Sequence, residues 1–129
     1  MNMKFKEVFG TAPPTLPLQA GGNIVHGNAI RLDWEKVCPK KEVDEIYVLG
    51  NPPYLGARMQ NEEQKSDIKL VCANFVKFKV LDYVACWFIK ATEYIKGYNS
   101  QASFVSTNSI CQGEQVALLW KNVINKNIE

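Results

Sequence analysis

Histidine is nearly absent: His26 is the only one in 129 residues. It has no second histidine with which to form a ligand pair and no cysteine near it in sequence, so it reads as a strand residue. The four cysteines, Cys38, Cys72, Cys86 and Cys111, are scattered, with no Cys-x-x-Cys pair. They are expected to be small apolar fillers in a reducing compartment, and no metal site is expected. Long hydrophobic runs are missing too. The most apolar segment, Leu81 to Ile89, contains Asp82 and is far too short to span a bilayer. The first residues, Met-Asn-Met-Lys-Phe-Lys, lack the apolar centre of a signal peptide, so a cytoplasmic location is expected. Strong charge of either sign is absent: the net charge is +2, short of the basic footprint common in dedicated nucleic-acid modules. Lysines cluster at Lys36, Lys40 and Lys41, and again at Lys65, Lys69, Lys77 and Lys79; these read as a solvated surface. There are no internal repeats and no low-complexity tracts.

What remains is 129 residues, 47% hydrophobic and 22% charged, which suits one soluble globular domain. Residues 1–22 are rich in proline and glycine and predict an extended lead-in, with a short helical turn near Lys4–Phe9. Asn23 to His26 predicts a first strand stopped by Gly27-Asn28. Ala29 to Trp34 alternates in character, and Lys36 to Asp44 is a polar loop containing Pro39. The unbroken run Ile46 to Leu49, hinged by Gly50, predicts a strand buried on both faces of a parallel sheet. Gly56 to Met59 reads as a loop, and Asn61 to Asn74 as a helix of poor register through Ile68, Val71, Cys72 and Phe75. Leu81 to Ile95 is the best helix, with Leu81, Val84, Ala85, Phe88, Thr92 and Ile95 on one face and Gly97 as its stop. Ala102 to Ser106 predicts a second buried strand, and Gly113 to Val123 an amphipathic helix through Val116, Leu119, Trp120 and Val123. A strand–helix–strand crossover of this length implies parallel pairing and a right-handed connection. The expected fold class is α/β, a partial doubly wound (Rossmann-like) sheet of about three strands.

Asn51-Pro52-Pro53-Tyr54 follows the central strand, where open α/β sheets place their ligands. Neither proline can donate a backbone N–H, so the ladder must end there and the loop is left rich in acceptors beside an aromatic ring. That set suits an –NH2 group on a flat ring. If Asn51 Oδ1 and the Pro52 carbonyl each accept one N–H, the nitrogen is drawn toward tetrahedral geometry and its lone pair leaves the ring. Both bonds strengthen as positive charge grows during attack on a methyl group, which is the condition for catalysis. Tyr54 offers a stacking face worth roughly 1–3 kcal/mol. Two other readings stay open on these four residues alone: an ordinary turn, and an Asn-Pro-x-Tyr docking motif. Docking motifs lie in exposed polar tails, whereas this loop follows a strand expected to be buried.

The sequence from Val48 to Tyr54 resembles the catalytic motif (motif IV) of adenine-N6 DNA methyltransferases. Three further blocks add specificity: Gly27 to Trp34, Leu81 to Ala91, and Ala102 to Val116. Together they resemble the methyltransferase domain of single-chain restriction–modification enzymes of types IIG and IIL, from about Pro13 onward. The resemblance implies that Asn51, Pro52 and Tyr54 hold a base flipped out of double-stranded DNA, with Pro53 shaping the loop. It implies S-adenosylmethionine as cofactor. Asn28 falls where related enzymes carry an Asp or Asn that contacts the cofactor's adenine, with Ala29 beside it. Asp82 and Tyr83 fall in the block that packs beside the cofactor and target pocket; Asp82 is equally a residue favoured by a helix dipole. Asparagine at the first motif position implies adenine, since cytosine-N4 enzymes usually carry serine there. Glutamine and rRNA guanine methyltransferases share Asn-Pro-Pro-Tyr, but the blocks after Leu81 differ.

The departures shape the rest of the expectation. No glycine-rich cofactor loop and no acidic residue for the cofactor's ribose precede Asn28, and neither a target-recognition domain nor a nuclease motif is present. Residues 23–129 are therefore expected to be a fragment of a methyltransferase catalytic domain. On its own this fragment is expected to be inactive, binding S-adenosylmethionine weakly or not at all, with self-association through open sheet edges. A non-catalytic remnant, a docking module, or an RNA or glutamine methyltransferase are the alternatives.

Overall fold

The computed structural model describes residues 24–124. The expected lead-in over 1–22 and its helical turn lie outside them. The elements are α1 (Trp34–Val37), β1 (Ile46–Gly50), α2 (Glu62–Val71), α3 (Ala85–Ile95), β2 (Ser100–Phe104) and α4 (Glu114–Ile124), with short 3-10 turns at Ala57–Met59, Phe78–Val80 and Asn108–Cys111. β1 and β2 pair in parallel, from Ile46 opposite Ser100 to Gly50 opposite Phe104. Residues 51–99 cross over between them and carry α2 and α3, as parallel pairing requires.

The core is built around α3. Leu81, Val84, Ala85 and Cys86 are fully buried at its start, and Ile89, Ala91, Thr92 and Ile95 follow down its inner face. α3 packs against α2, α4 and β2. Ile68 and Cys72 come from α2, and Leu119 and Val123 from α4. Phe88 meets Phe104 edge-on at 5.2 Å and Trp120 at 5.5 Å, tying the sheet to both helices. Gly97 closes α3 at φ +79, a left-handed conformation that glycine adopts freely. α2 begins in a capping box: Asn61 and Gln64 exchange backbone and side-chain hydrogen bonds of 2.9 Å each.

Several expectations are corrected. Residues 24–26 form no ladder, and Ile24 is 97% exposed, because no described strand lies beside them; Asn23 is outside the described residues. The alternating stretch from Ala29 is a turn followed by the single helical turn α1, capped by the Asp33 side chain. Lys36 and Val37 belong to that turn and not to a loop. The Leu81–Ile95 helix starts at Ala85, since residues 81–84 are held in tight turns by bonds such as Ala85 N–H to Asp82 O at 3.0 Å. β2 starts two residues earlier than expected. The sheet has two strands among the described residues, so β1 is not buried on both faces: Tyr47 and Leu49 are exposed. β2 is likewise open, with Gln101, Ala102 and Ser103 exposed.

Candidate functional site

β1 and β2 end side by side, and the Val105 N–H donates to Gly50 O at 3.0 Å just past the ladder. The loops that follow, 51–56 and 105–109, are therefore neighbours at the carboxyl end of the sheet. Gly50 packs closely at the junction: a Cβ there would lie 3.2 Å from the Phe104 ring, so the ring would have to give by a few tenths of an ångström. Pro52 is buried, whereas Asn51, Pro53 and Tyr54 are exposed. Beyond Tyr54 the loop is clamped. Leu55 O accepts the Tyr83 N–H at 2.8 Å and Gln60 Nε2 at 3.2 Å, and the same Gln60 amide reaches Leu81 O at 3.0 Å. Among the described residues, neither the Asn51 amide nor the Tyr54 hydroxyl has a hydrogen-bond partner, so both are available to a ligand.

A cavity of about 760 Å³ opens beside this loop, between β1 and the 24–34 segment; Ala29, Leu32, Trp34, Val48, Asn51 and Pro52 contribute to its walls. Asn51, Pro52, Pro53 and Ala29 thus share one cavity. Asn28, Tyr54, Asp82 and Tyr83 do not line it.

Asn28 and Tyr83 instead meet at Asp67, a residue that the sequence reading passed over. Asp67 is 1% exposed on α2. Its Oδ2 accepts Asn28 Nδ2 at 2.9 Å and the Tyr83 hydroxyl at 2.6 Å, and its Oδ1 accepts Arg31 Nε at 2.7 Å. Burial alone would raise the Asp67 pKa, but the bonds from Tyr83, Arg31 and Asn28 and the Arg31 charge outweigh it and hold the carboxyl below its ordinary range. The Tyr83 phenol is pushed the other way, by burial and by its bond to Asp67, and stays a donor. One signal was available in the sequence: Asp67 lies four residues before Val71 and so on the apolar stripe of α2.

The 28–32 turn is held from α3 as well. Lys90 Nζ donates to Ile30 O at 2.8 Å and Leu32 O at 2.7 Å, and desolvation lowers its pKa. Trp34 Nε1 donates to Ala29 O at 2.8 Å.

Asp82 anchors a second buried network behind the two loops. Its Oδ2 accepts Gln115 Nε2 at 3.0 Å and the Ser109 hydroxyl, and its N–H donates to Gln115 Oε1 at 3.1 Å. Gln115 Nε2 also reaches Ser109 O at 2.7 Å, and Ser109 pairs with Thr107. Asp82 Oδ2 and its backbone N–H thus join the 105–109 loop and Gln115 to the start of α3.

A parallel strand pair, helices in the crossover and an acceptor-rich Asn-Pro-Pro-Tyr loop at the strand ends define a partial Rossmann-like α/β core. The comparisons with known proteins narrow this class. The family described as "MmeI, DNA-methyltransferase domain" matches residues 1–129, and the chain belongs to that family. It is 45% identical over 130 residues to DNA methyltransferase A of Bacillus subtilis (strain 168), covering 100% of this chain and 15% of that protein. The solved structure of the type IIL restriction–modification enzyme MmeI in complex with DNA is similar at 40% identity and a TM-score of 0.77, over 97% of this chain and 17% of that one. The chain therefore spans about a sixth of the relatives it matches. Methyltransferase chemistry of this kind generally depends on S-adenosylmethionine. Among the described residues, no helix is long and apolar enough to cross a membrane.

Proposed function

We propose that this chain is the amine-activating part of a cytoplasmic restriction–modification enzyme that transfers methyl from S-adenosylmethionine to N6 of adenine in double-stranded DNA. The observation that carries the reading is the Asn51 amide, exposed at the carboxyl end of β1 and without a partner among the described residues. Beside it Pro52 is buried with its φ fixed by the ring, and Pro53 has no N–H to offer the Pro52 carbonyl. Two acceptors are thus held ready for the two hydrogens of an exocyclic amine. Tyr54 offers its ring to a base flipped out of the duplex. No acid–base residue is required to activate the amine. The similarity to an enzyme whose structure was solved with DNA supports DNA as the substrate.

S-adenosylmethionine supplies the electrophilic methyl group when bound. The described residues fit one end of it. Walls formed by Ala29, Leu32, Trp34 and Val48 suit a flat adenine, and Asn28 holds the turn that presents Ala29. No charged side chain lines this cavity among the described residues, so they supply no ionic partner for the amino-acid end. On the described residues alone, weak cofactor binding is expected. Asp82 and Tyr83 act from behind the pocket, through the Leu55 clamp and the Asp67 and Gln115 networks.

Nucleoside analysis of DNA modified by the full-length enzyme tests the target. N6-methyladenine is expected; N4-methylcytosine would refute the assignment to adenine.

A further inference from the structure

We propose that Gln60 is a positioning residue for methyl transfer: its buried amide fixes the far end of the acceptor loop, and with it the placing of Asn51 Oδ1 and the Pro52 carbonyl. The inference rests on the reading of those two groups as the acceptors for the amine. Among the described residues, no backbone group of 51–54 takes part in a hydrogen bond. Pro52 and Pro53 bring no N–H of their own. The loop is therefore set from its two ends. At the near end, Gly50 O accepts the Val105 N–H at 3.0 Å. At the far end the hold falls on one carbonyl, Leu55 O, which accepts the Tyr83 N–H at 2.8 Å and Gln60 Nε2 at 3.2 Å.

Gln60 is buried, and its Nε2 also donates to Leu81 O at 3.0 Å. One NH2 group thus bridges two carbonyls from two different segments. Its orientation has no alternative, since the amide oxygen turned that way would face two carbonyl oxygens. Leu81 and Tyr83 flank Asp82, which ties the same segment to Ser109 and Gln115. Both loops at the carboxyl end of the sheet are therefore anchored on residues 81–83. Gln60 is the side chain that sets the spacing between that segment and the acceptor loop. An apolar side chain could fill the same space, but only a paired donor holds two carbonyls at a fixed separation. That separation matters to the reaction: the amine must sit about 3–3.5 Å from the methyl carbon, and a displacement on the order of 1 Å can cost about a hundredfold in rate.

The test is single-turnover methyl transfer by the full-length enzyme at saturating DNA and S-adenosylmethionine, well below the melting temperature of each variant. Dissociation constants and melting temperatures are measured alongside. Gln60→Met keeps the volume and removes both donors; Gln60→Glu keeps the shape and, when ionised, offers only acceptors. Each is expected to lower the rate by about ten- to a hundredfold, with DNA and cofactor bound within about twofold of the wild type. Val123→Ala, which trims the core at the end of α4 remote from Gln115, is the control for lost stability. It is expected to lower the melting temperature and leave the rate unchanged. An unchanged rate in Gln60→Met, or in Gln60→Glu should the thioether variant not fold, would overturn the proposal. So would losses of DNA and cofactor affinity as large as the loss of rate, or an equal slowing in Val123→Ala, since each marks a general effect on the fold. Asn51→Ala in the same assay separates the inference from the reading beneath it. A near-normal rate there removes the acceptor role of the loop itself, whereas a slow Asn51→Ala beside a normal Gln60→Met removes the role of Gln60 alone.

Discussion

Asp67 carries its charge in a place where only its partners make that charge tolerable, and the consequence for pH has a definite sign. Its folded pKa lies below the unfolded value of about 3.9. Stability from this group is therefore complete above about pH 4 and is lost as pH falls through the folded pKa. Urea denaturation at a series of pH values should show the wild type losing its advantage over Asp67→Asn below about pH 4, with the gap widest at neutral pH. A gap independent of pH would show that Asp67 is not ionised in the fold. Residues differ in how visible such roles are in sequence. The place of Asn51 at the carboxyl end of β1 was legible because two prolines and an apolar run frame it. Asp67 was legible only as a carboxylate on the apolar stripe of its helix; its partners lie 16 to 39 positions away and could not be named. The bonds of Asp82 to Ser109 and Gln115 were not legible, because they depend on how the 105–109 loop folds back.

At the level of elements, α2 couples helix stability to the site, since its capped first turn leads directly to Asp67. Asn61→Ala removes the cap and should cost about 0.5–2 kcal/mol, a fall of several degrees in melting temperature. An unchanged melting temperature would mean that the capping box contributes nothing to the folded chain. α3 and α4 were readable because each keeps a helical apolar stripe against one core. The expected strand at 23–26 does not appear over 24–26, where Ile24 and Val25 have strand-like composition but no described strand lies beside them, and the alternating stretch from Ala29 is a turn and a helical turn. Nothing in that composition reveals that Asn28 closes a turn or that Asp33 caps α1. Strand limits slipped for a related reason: the ladder runs through Gly50, which packs on Phe104, a contact that neither residue announces.

The described residues together present a two-stranded sheet whose exposed residues include Tyr47 and Leu49, beside a cavity that none of their charged side chains lines. The parallel order of the strands and the place of the loop were legible, because a crossover of helical length admits few topologies. The number of strands and their exposure were not, because an apolar run has the same composition whether or not a neighbour covers it. At this scale the isolated chain is expected to show no saturable heat with S-adenosylmethionine in calorimetry; tight saturable binding would contradict the partial fit of the cavity. Exposed Leu49, and an edge of β1 that no strand among the described residues pairs with, favour self-association, which sedimentation at increasing concentration would reveal as a rising mass. A constant monomer mass would exclude it.

The central claim is that Asn51 activates the amine by a hydrogen bond that tightens in the transition state. Single-turnover methyl transfer by the full-length enzyme, comparing wild type with Asn51→Ala at saturating DNA and cofactor, tests it most directly. The account predicts a rate lower by roughly 10²–10³, with DNA and cofactor still bound. A near-normal rate in that variant would contradict it.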